Sequence, residues 1–422
     1  MVFRNLPTGP VTLINLTAPG CLKGAASETV QIDLGLADGA ICAPGVGETV
    51  DMKGAMVFPC FVDMHTHLDK GHIWPRKPNP DGSFMGALTS VGEDREARWS
   101  AEDVRRRMDF ALRCAWAHGT RAIRTHLDSI PPQHEISWPV FREVREDWAG
   151  RIDLQAVNLV GIDRVADTPE FVAIADLVAA SGGVLGAVTY PDPDLRDRLR
   201  LFFRCATARG LAADFHVDET GDPEVATLRV IAETALEVGF DAPVTVGHCC
   251  SLAVQPEAEA FRTLDLVAKA GINVVSLPMC NLYLQARDAG RTPRWRGVTL
   301  VHEMKARGIP VSFASDNTRD PFYAFGDLDM IEVMREATRI AHLDHSDHDW
   351  ATAFLTTPAA ASGFTAPSLE EGAPADLVIC RARTFNELLA RPQSDRIALR
   401  GGRAIDTALP DYAELDDLME TA

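Results

Sequence analysis

The chain has no C-x-x-C pair, no excess of basic residues and no long apolar run, and each lack removes a class of protein. Its nine cysteines are odd in number and scattered, and the adjacent Cys249-Cys250 has no zinc-finger spacing. Such thiols read as reduced side chains buried as small hydrophobes, so the expected compartment is the cytoplasm. Sixty acidic residues against 41 basic ones leave a formal net charge of −19. Phosphate attraction needs a cationic face, so neither nucleic acid nor an anionic membrane surface is expected as a partner. No stretch approaches the roughly 20 apolar residues of a membrane span. The first residues, MVFRNLPTGPVTLINL, lack the basic start and apolar core of a secretory leader. A G-x-G-x-x-G after a strand is also missing, which speaks against a doubly wound dinucleotide-binding sheet.

What remains is a soluble globular composition, 46% hydrophobic and 24% charged over 422 residues. Both ends are rich in short β-type runs broken by Gly and Pro, and Gly401-Gly402 between two such runs is a hairpin signal. Residues 1–57 and 366–422 therefore read as one small β domain, a β-sandwich, built from both termini. The middle, 58–365, alternates apolar runs with segments of helical period. The runs fall at 57–63, 122–125, 152–159, 184–188, 212–215, 244–246, 272–276 and 310–313. Eight strand candidates separated by helices spell a (β/α)8 TIM barrel of α/β class.

Of twelve histidines, several end these runs. His65 and His67 follow the first, in Phe61-Val-Asp-Met-His-Thr-His-Leu-Asp-Lys70. Side chains at i and i+2 of an extended chain share a face, so the two imidazoles can converge on one ion. His126, His216 and His248 end the second, fifth and sixth runs, and Asp316 follows the eighth. One such placement is ordinary for a buried histidine. Six at the carboxyl ends of barrel strands, where catalytic groups gather, point to a metal site. Three histidines and a carboxylate suit Zn2+ or Fe2+ and leave a position open for water. Glu219, three residues beyond His216, can reach a substrate without binding the ion and shuttle protons. The plainer alternative is an acid near a helix start, complementing the dipole beside Asp218.

These segments resemble the amidohydrolase superfamily, and within it the cytosine deaminase group. The blocks that carry the resemblance are Phe61–His67, Arg124-Thr-His-Leu-Asp128, Asp153-Leu-Gln155, His216-Val-Asp-Glu219, His248, Asn281-Leu-Tyr-Leu-Gln285, Ser315-Asp316, Asp320-Pro-Phe322 and Pro374-Ala-Asp-Leu-Val378. The resemblance implies that His65, His67, His216 and Asp316 bind the metal. It makes Glu219 the proton shuttle and gives His248 the attacking water to hold or polarise. The fourth strand, Gly186-Ala-Val-Thr-Tyr190, lacks the bridging Lys of two-metal members, so one divalent ion is expected. Two positions depart from cytosine deaminases. Gly161 stands where they carry a Gln that reads the pyrimidine edge, and Asn317 follows Asp316 where they have Asp. The Asp-Asn pair and His67-Leu-Asp-Lys70 look closer to the branch that hydrolyses N-isopropylammelide.

The expected activity is hydrolysis of a C–N bond in a cyclic amidine or amino-substituted N-heterocycle. Asp316 takes a proton from the attacking water, and Glu219 protonates the adjacent ring nitrogen. Phe322 packs on the ring or fills core, and Gln285 reads the heterocycle or caps structure. Gly161 leaves room for a bulky or N-substituted ring. The alternatives are an N-alkylamino-triazine aminohydrolase, a cyclic amide hydrolase and a non-catalytic barrel scaffold. A homo-oligomer stays open.

Overall fold

The protein is described by a computed structural model covering residues 6–392 and 395–420. Its described parts form two compact units. One draws on Met1–Asp63, Leu112–Ala122 and Leu328–Pro410, the other on Met64–Ala111, Ile123–Asp327 and Asp411–Ala422.

In chain order the strands begin with β1 (Val11–Pro19), β2 (Thr29–Ala37), β3 (Ala40–Cys42), β4 (Glu48–Asp51) and β5 (Met56–Pro59). Next come β6 (Phe61–Thr66), β7 (Thr120–Asp128), β8 (Asp153–Leu159) and β9 (Leu185–Thr189). They are followed by β10 (Ala213–Val217), β11 (Val244–His248), β12 (Asn273–Ser276) and β13 (Val311–Phe313). Last are β14 (Leu377–Cys380), β15 (Arg396–Arg400) and β16 (Arg403–Ala404).

In the first unit the terminal strands are hydrogen-bonded into one mixed sheet, in the order β16-β15-β14-β5-β1-β2-β3, with β4 added beside β1. The sequence led us to expect a sandwich of two sheets. Instead β14 pairs antiparallel with β5, which ties the C-terminal strands directly to the N-terminal ones. Leu13, Leu16, Leu36, Val57, Leu377 and Leu399 fill its buried core. Each such side chain contributes about 1.5–3 kcal/mol of hydrophobic stabilisation. The β15–β16 hairpin turns at Gly401 and Gly402, whose φ values of +53° and +75° suit residues without a Cβ.

The second unit alternates strands and helices in a TIM-barrel-like α/β arrangement. The strands lie in two sheets, β6-β7-β8 and the parallel β9-β10-β11-β12-β13. Isolated parallel bridges meet at both seams, Val157 with Val184 and Gly161 with Val188 on one side and Thr66 with Asp316 on the other. Neither seam is a continuous ladder. The run expected over 57–63 is two strands, β5 and β6, in different sheets. Pro59 has no N–H to extend a ladder, and the chain changes sheet at Cys60. All five residues of β10, Ala-Asp-Phe-His-Val, are buried, as expected for a strand covered on both faces.

The segment after Pro410 packs in this second unit and adds no terminal strand. Tyr412 stacks on Phe110 with centroids 5.5 Å apart, and the Arg319 guanidinium lies 3.9 Å from its ring centroid. Among the described residues no helix is long and apolar enough to cross a membrane.

Candidate active site

Strand alternation gives the second unit an interior of stacked polar layers. On β7 and β10, Arg124 and Asp214 occupy one level, and Arg124 donates to Asp214 at 2.9 Å and to Gln155 at 2.7 Å. His126 and His216 come one alternation later, towards the carboxyl ends. Beside them, β6 brings His65 and its continuation brings His67.

Three imidazole nitrogens converge here. His216 Nε2 lies 3.2 Å from His65 Nε2 and 3.3 Å from His67 Nε2. The Asp316 carboxylate stands 3.2 Å from His67 Nε2 and 3.6 Å from His65 Nε2. Two ligands about 2.05 Å from a tetrahedral ion are about 3.3 Å apart, so the donor set fits a divalent metal. The electrostatics agree. Burial, then the charges His126 and His216 would carry, pushes His65 well below its ordinary pKa and keeps the ring neutral, the form that can bind a metal. His67 is lowered in the same way, by burial and then by Lys70. Asp316 itself has φ +65°, and His248, which ends β11, has φ +68°. Non-glycine residues rarely adopt that region, and such strain collects at functional sites.

His126 joins the histidine cluster, its ring centroid 4.0 Å from that of His65. Its Nε2 lies 3.3 Å from Asp214, and one of its ring nitrogens is within 4.8 Å of those of His65, His67 and His216. The sequence placed it at a strand end without giving it a role.

Asp218 and Glu219 divide the two readings that their position allowed. The Asp218 carboxylate accepts from the backbone N–H groups of Thr227 (2.9 Å) and Leu228 (3.1 Å), satisfying the start of the helix Thr227–Val238. Glu219 turns the other way. Its Oε1 accepts from the Asn281 side chain at 3.2 Å and lies 3.4 Å from His248 Nδ1. Burial, then the neighbouring Asp316 carboxylate, raises the Glu219 pKa well above its ordinary range, so the group can donate a proton. The Asn281 amide also lies 3.0 Å from His248 Nδ1. Asn281 was legible only as part of a motif, and its bridging position was missed.

These groups open onto a cavity of about 630 Å³, lined by His67, His216, Glu219, His248, Asn317 and Phe322 among others. A cavity of about 760 Å³ in the first unit contains none of them. Gln285 lines the site, but its amide donates to the Glu219 carbonyl at 3.2 Å, a structural use. Asn317 donates to Asp320 at 2.8 Å, and Asp320 also accepts from the Phe322 N–H at 2.8 Å, so one carboxylate sets both residues. Phe322 stands edge-on to Phe84, centroids 5.5 Å apart. Gly161 reaches the cavity, but the space beside it is taken. A Cβ there would meet Asp163 Oδ1 at 2.3 Å and Tyr190 Oη at 2.7 Å, two groups hydrogen-bonded to each other.

Buried histidines and a carboxylate at the ends of barrel-type strands, beside a raised Glu, define a metal-dependent hydrolase of carbon–nitrogen bonds. The chain belongs to the amidohydrolase family, whose model matches residues 158–404. It is 54% identical to a pterin deaminase of Rhizobium rhizogenes (strain K84), over 99% of this chain and 96% of that protein. It is 24% identical to N-isopropylammelide isopropyl amidohydrolase of Pseudomonas sp. (strain ADP), over 85% of this chain and 88% of that one. The solved 5-methylcytosine deaminase of Klebsiella pneumoniae, liganded with 5-fluorocytosine, superposes with a TM-score of 0.80 at 25% identity, covering 95% of this chain and 98% of its own.

Proposed function

We propose that the protein is an aminohydrolase that removes the 2-amino group of a pterin-type ring, a bicyclic 2-amino-4-oxo N-heterocycle. The observation that carries this is the meeting of His65, His67, His216 and Asp316 beside Glu219 and His248, at a cavity of about 630 Å³ lined by His67, His216, Glu219 and His248. The 54% identity with a pterin deaminase supports the ring type.

His65, His67, His216 and Asp316 would hold one divalent ion, Zn2+ or Fe2+. Such an ion supplies a Lewis acid that lowers the pKa of water from about 15.7 to about 7. Asp316 accepts the proton of the attacking water on its carboxylate. Glu219 enters protonated and gives its proton to the ring nitrogen next to the amino-bearing carbon, which weakens the amidine resonance opposing attack. With Nδ1 facing the Asn281 amide, His248 directs an Nε2–H donor at the incoming oxygen. A C–O bond forms, the leaving nitrogen takes the proton that Asp316 holds as the exocyclic C–N bond breaks, and the proton of the new hydroxyl passes to Glu219, which restores its acid form. The products are ammonia and the 2,4-dioxo ring. Phe322 packs on the ring face, and Asn317 offers its side-chain oxygen to a ring N–H.

The test is ammonia or amine release by metal-loaded protein from a panel of 2-amino-4-oxopteridine, cytosine, N-isopropylammelide and creatinine. Release of ammonia from the pteridine, faster than from cytosine, is expected. No release from any member overturns the reading, and isopropylamine from the triazine alone would move the protein to the N-alkylamino branch.

A further inference from the structure

Lys70 is a buried cation in the wall of the cavity that the chemistry leaves unused. Its ammonium pairs with Asp128 at 2.9 Å, and the side chain is only 5% exposed. Asp128 is shared, because Arg95 donates to its other oxygen at 2.9 Å. Lys70 Nζ also lies over the Phe322 ring, 5.3 Å from its centroid, and both residues line the cavity. Burial pulls the ammonium pKa down, but Asp128, Asp69 and Asp320 overcome it and hold the pKa above its ordinary value. The residue is therefore a fixed positive charge, and that charge acts on Glu219 and His216.

An ammonium has three N–H donors and no acceptor. Asp128 uses one of them, and Asp128 is itself divided between Lys70 and Arg95. A ring stacked on Phe322 thus meets donors on this side. An exocyclic carbonyl oxygen satisfies them, whereas a second amino group sets donor against donor.

Resting on the aminohydrolase reading above, we infer that Lys70 is a specificity-determining residue, which selects heterocycles bearing an exocyclic oxygen by donating to that oxygen. The same contact strengthens during the reaction. Addition of water to the amino-bearing carbon pushes electron density through the ring into the carbonyl, and a fixed cation beside that oxygen favours the charge.

The test compares 2-amino-4-oxopteridine with 2,4-diaminopteridine in wild type, Lys70→Met and Lys70→Gln, each loaded with metal and checked for metal content. Wild type should prefer the oxo ring by at least about tenfold in kcat/KM. Lys70→Met should lose about 10–100-fold on the oxo ring, the usual worth of a hydrogen bond to a charged group. On the diamino ring the same variant should change by less than about threefold, so the preference collapses. Lys70→Gln, which keeps an uncharged donor of similar size, should fall in between. Calorimetric binding of 2,4-dioxopteridine, which has no amino group to lose, should weaken in parallel in both variants. A merely structural lysine would depress both rings equally. That outcome, or equal wild-type turnover of the two rings, overturns the proposal, and the wild-type comparison decides it even if neither variant folds. If wild type deaminates nothing yet binds the dioxo ring through Lys70, the chemistry falls and Lys70 stands. If turnover is robust and the preference survives in Lys70→Met, Lys70 falls and the chemistry stands. Neither turnover nor binding overturns both.

Discussion

The Asn281 amide nitrogen lies 3.0 Å from His248 Nδ1, and this contact sets which ring nitrogen carries the hydrogen. An amide N–H can only donate, so Nδ1 accepts and Nε2 carries the hydrogen. Burial, then His126, lowers the His248 pKa to about 3, which keeps the ring neutral and its tautomer meaningful. Asn281→Leu keeps the volume and removes the donor. We expect kcat to fall about 10–100-fold, as for other orienting partners of site residues. Metal content should be unchanged, and an unchanged kcat would remove Asn281 from the mechanism.

Metal stoichiometry follows from the two imidazole nitrogens within 3.3 Å of His216 Nε2 and the adjoining Asp316. Elemental analysis of gently purified protein should find close to one Zn, Fe or Mn per chain. His65→Ala should lose the ion and the activity together. Two ions per chain at full activity would contradict the mononuclear site.

Glu219→Gln retains shape and the contact with Asn281 but cannot carry a proton. Turnover should drop by about 10²–10⁴, the range for a general acid–base, while bound metal persists. Wild-type rates would show that another group moves the proton, and loss of metal would make Glu219 a ligand.

At Gly161 a glutamine has no room. Its Cβ would approach Asp163 Oδ1 to 2.3 Å. Gly161→Gln alone should therefore cost about 1–3 kcal/mol by overpacking, seen as a lower Tm, and gain little cytosine activity. Gly161→Gln combined with Asp163→Ala should recover stability and raise the kcat/KM ratio of cytosine to the pteridine. Efficient cytosine turnover by wild type would mean that another residue already serves the pyrimidine edge.

Acid sensitivity is expected at His72, whose two ring nitrogens are buried without hydrogen-bond partners. Burial, then the Arg319 charge, lowers its pKa to about 3, with Asp327 opposing and Arg107 adding. The unfolded value is about 6.5. The folded pKa is the lower one, so the stability is fully present above about pH 6.5 and is lost as pH falls towards 3. At pH 5 this amounts to about 2 kcal/mol. His72→Phe, which fits beside Phe110 and Tyr412, should narrow the Tm difference between pH 7 and pH 5. An identical difference in both proteins would clear His72 of the effect.

The strand-end histidines could be read from the chain because alternation and strand termini are local properties, visible in Phe61–His67 and in Asp214–Glu219. The exchange of sheets at Pro59 and Cys60 could not, since an unbroken apolar run does not record which neighbour each half will pair with. The crowding at Gly161 is not legible in the chain because Asp163 reaches it from the short 3-10 turn Ile162–Arg164 and Tyr190 from just beyond β9. Asn281 and Lys70 are polar side chains whose worth depends on what stands across the cavity, and no spacing in the chain reports that. The segment from Asp411 onward, grouped with the terminal β domain by sequence order, docks in the other unit through Tyr412 and through Arg106, which donates to Asp417.

The stretch from Asp316 to Phe322 carries a ligand-type carboxylate, the Asn317 amide and an aromatic wall, tied together by Asp320. Mutational drift in those seven residues would alter ion retention and ring contact together, so this side of the cavity is poor ground for acquiring new substrates. Gly161, Asp163 and Tyr190 line another part of the cavity, where Tyr190 donates to Asp163. Substrate range in descendants of this enzyme should therefore diversify first in the segments that follow β8 and β9, where an exchange can be tried without forfeiting the catalyst.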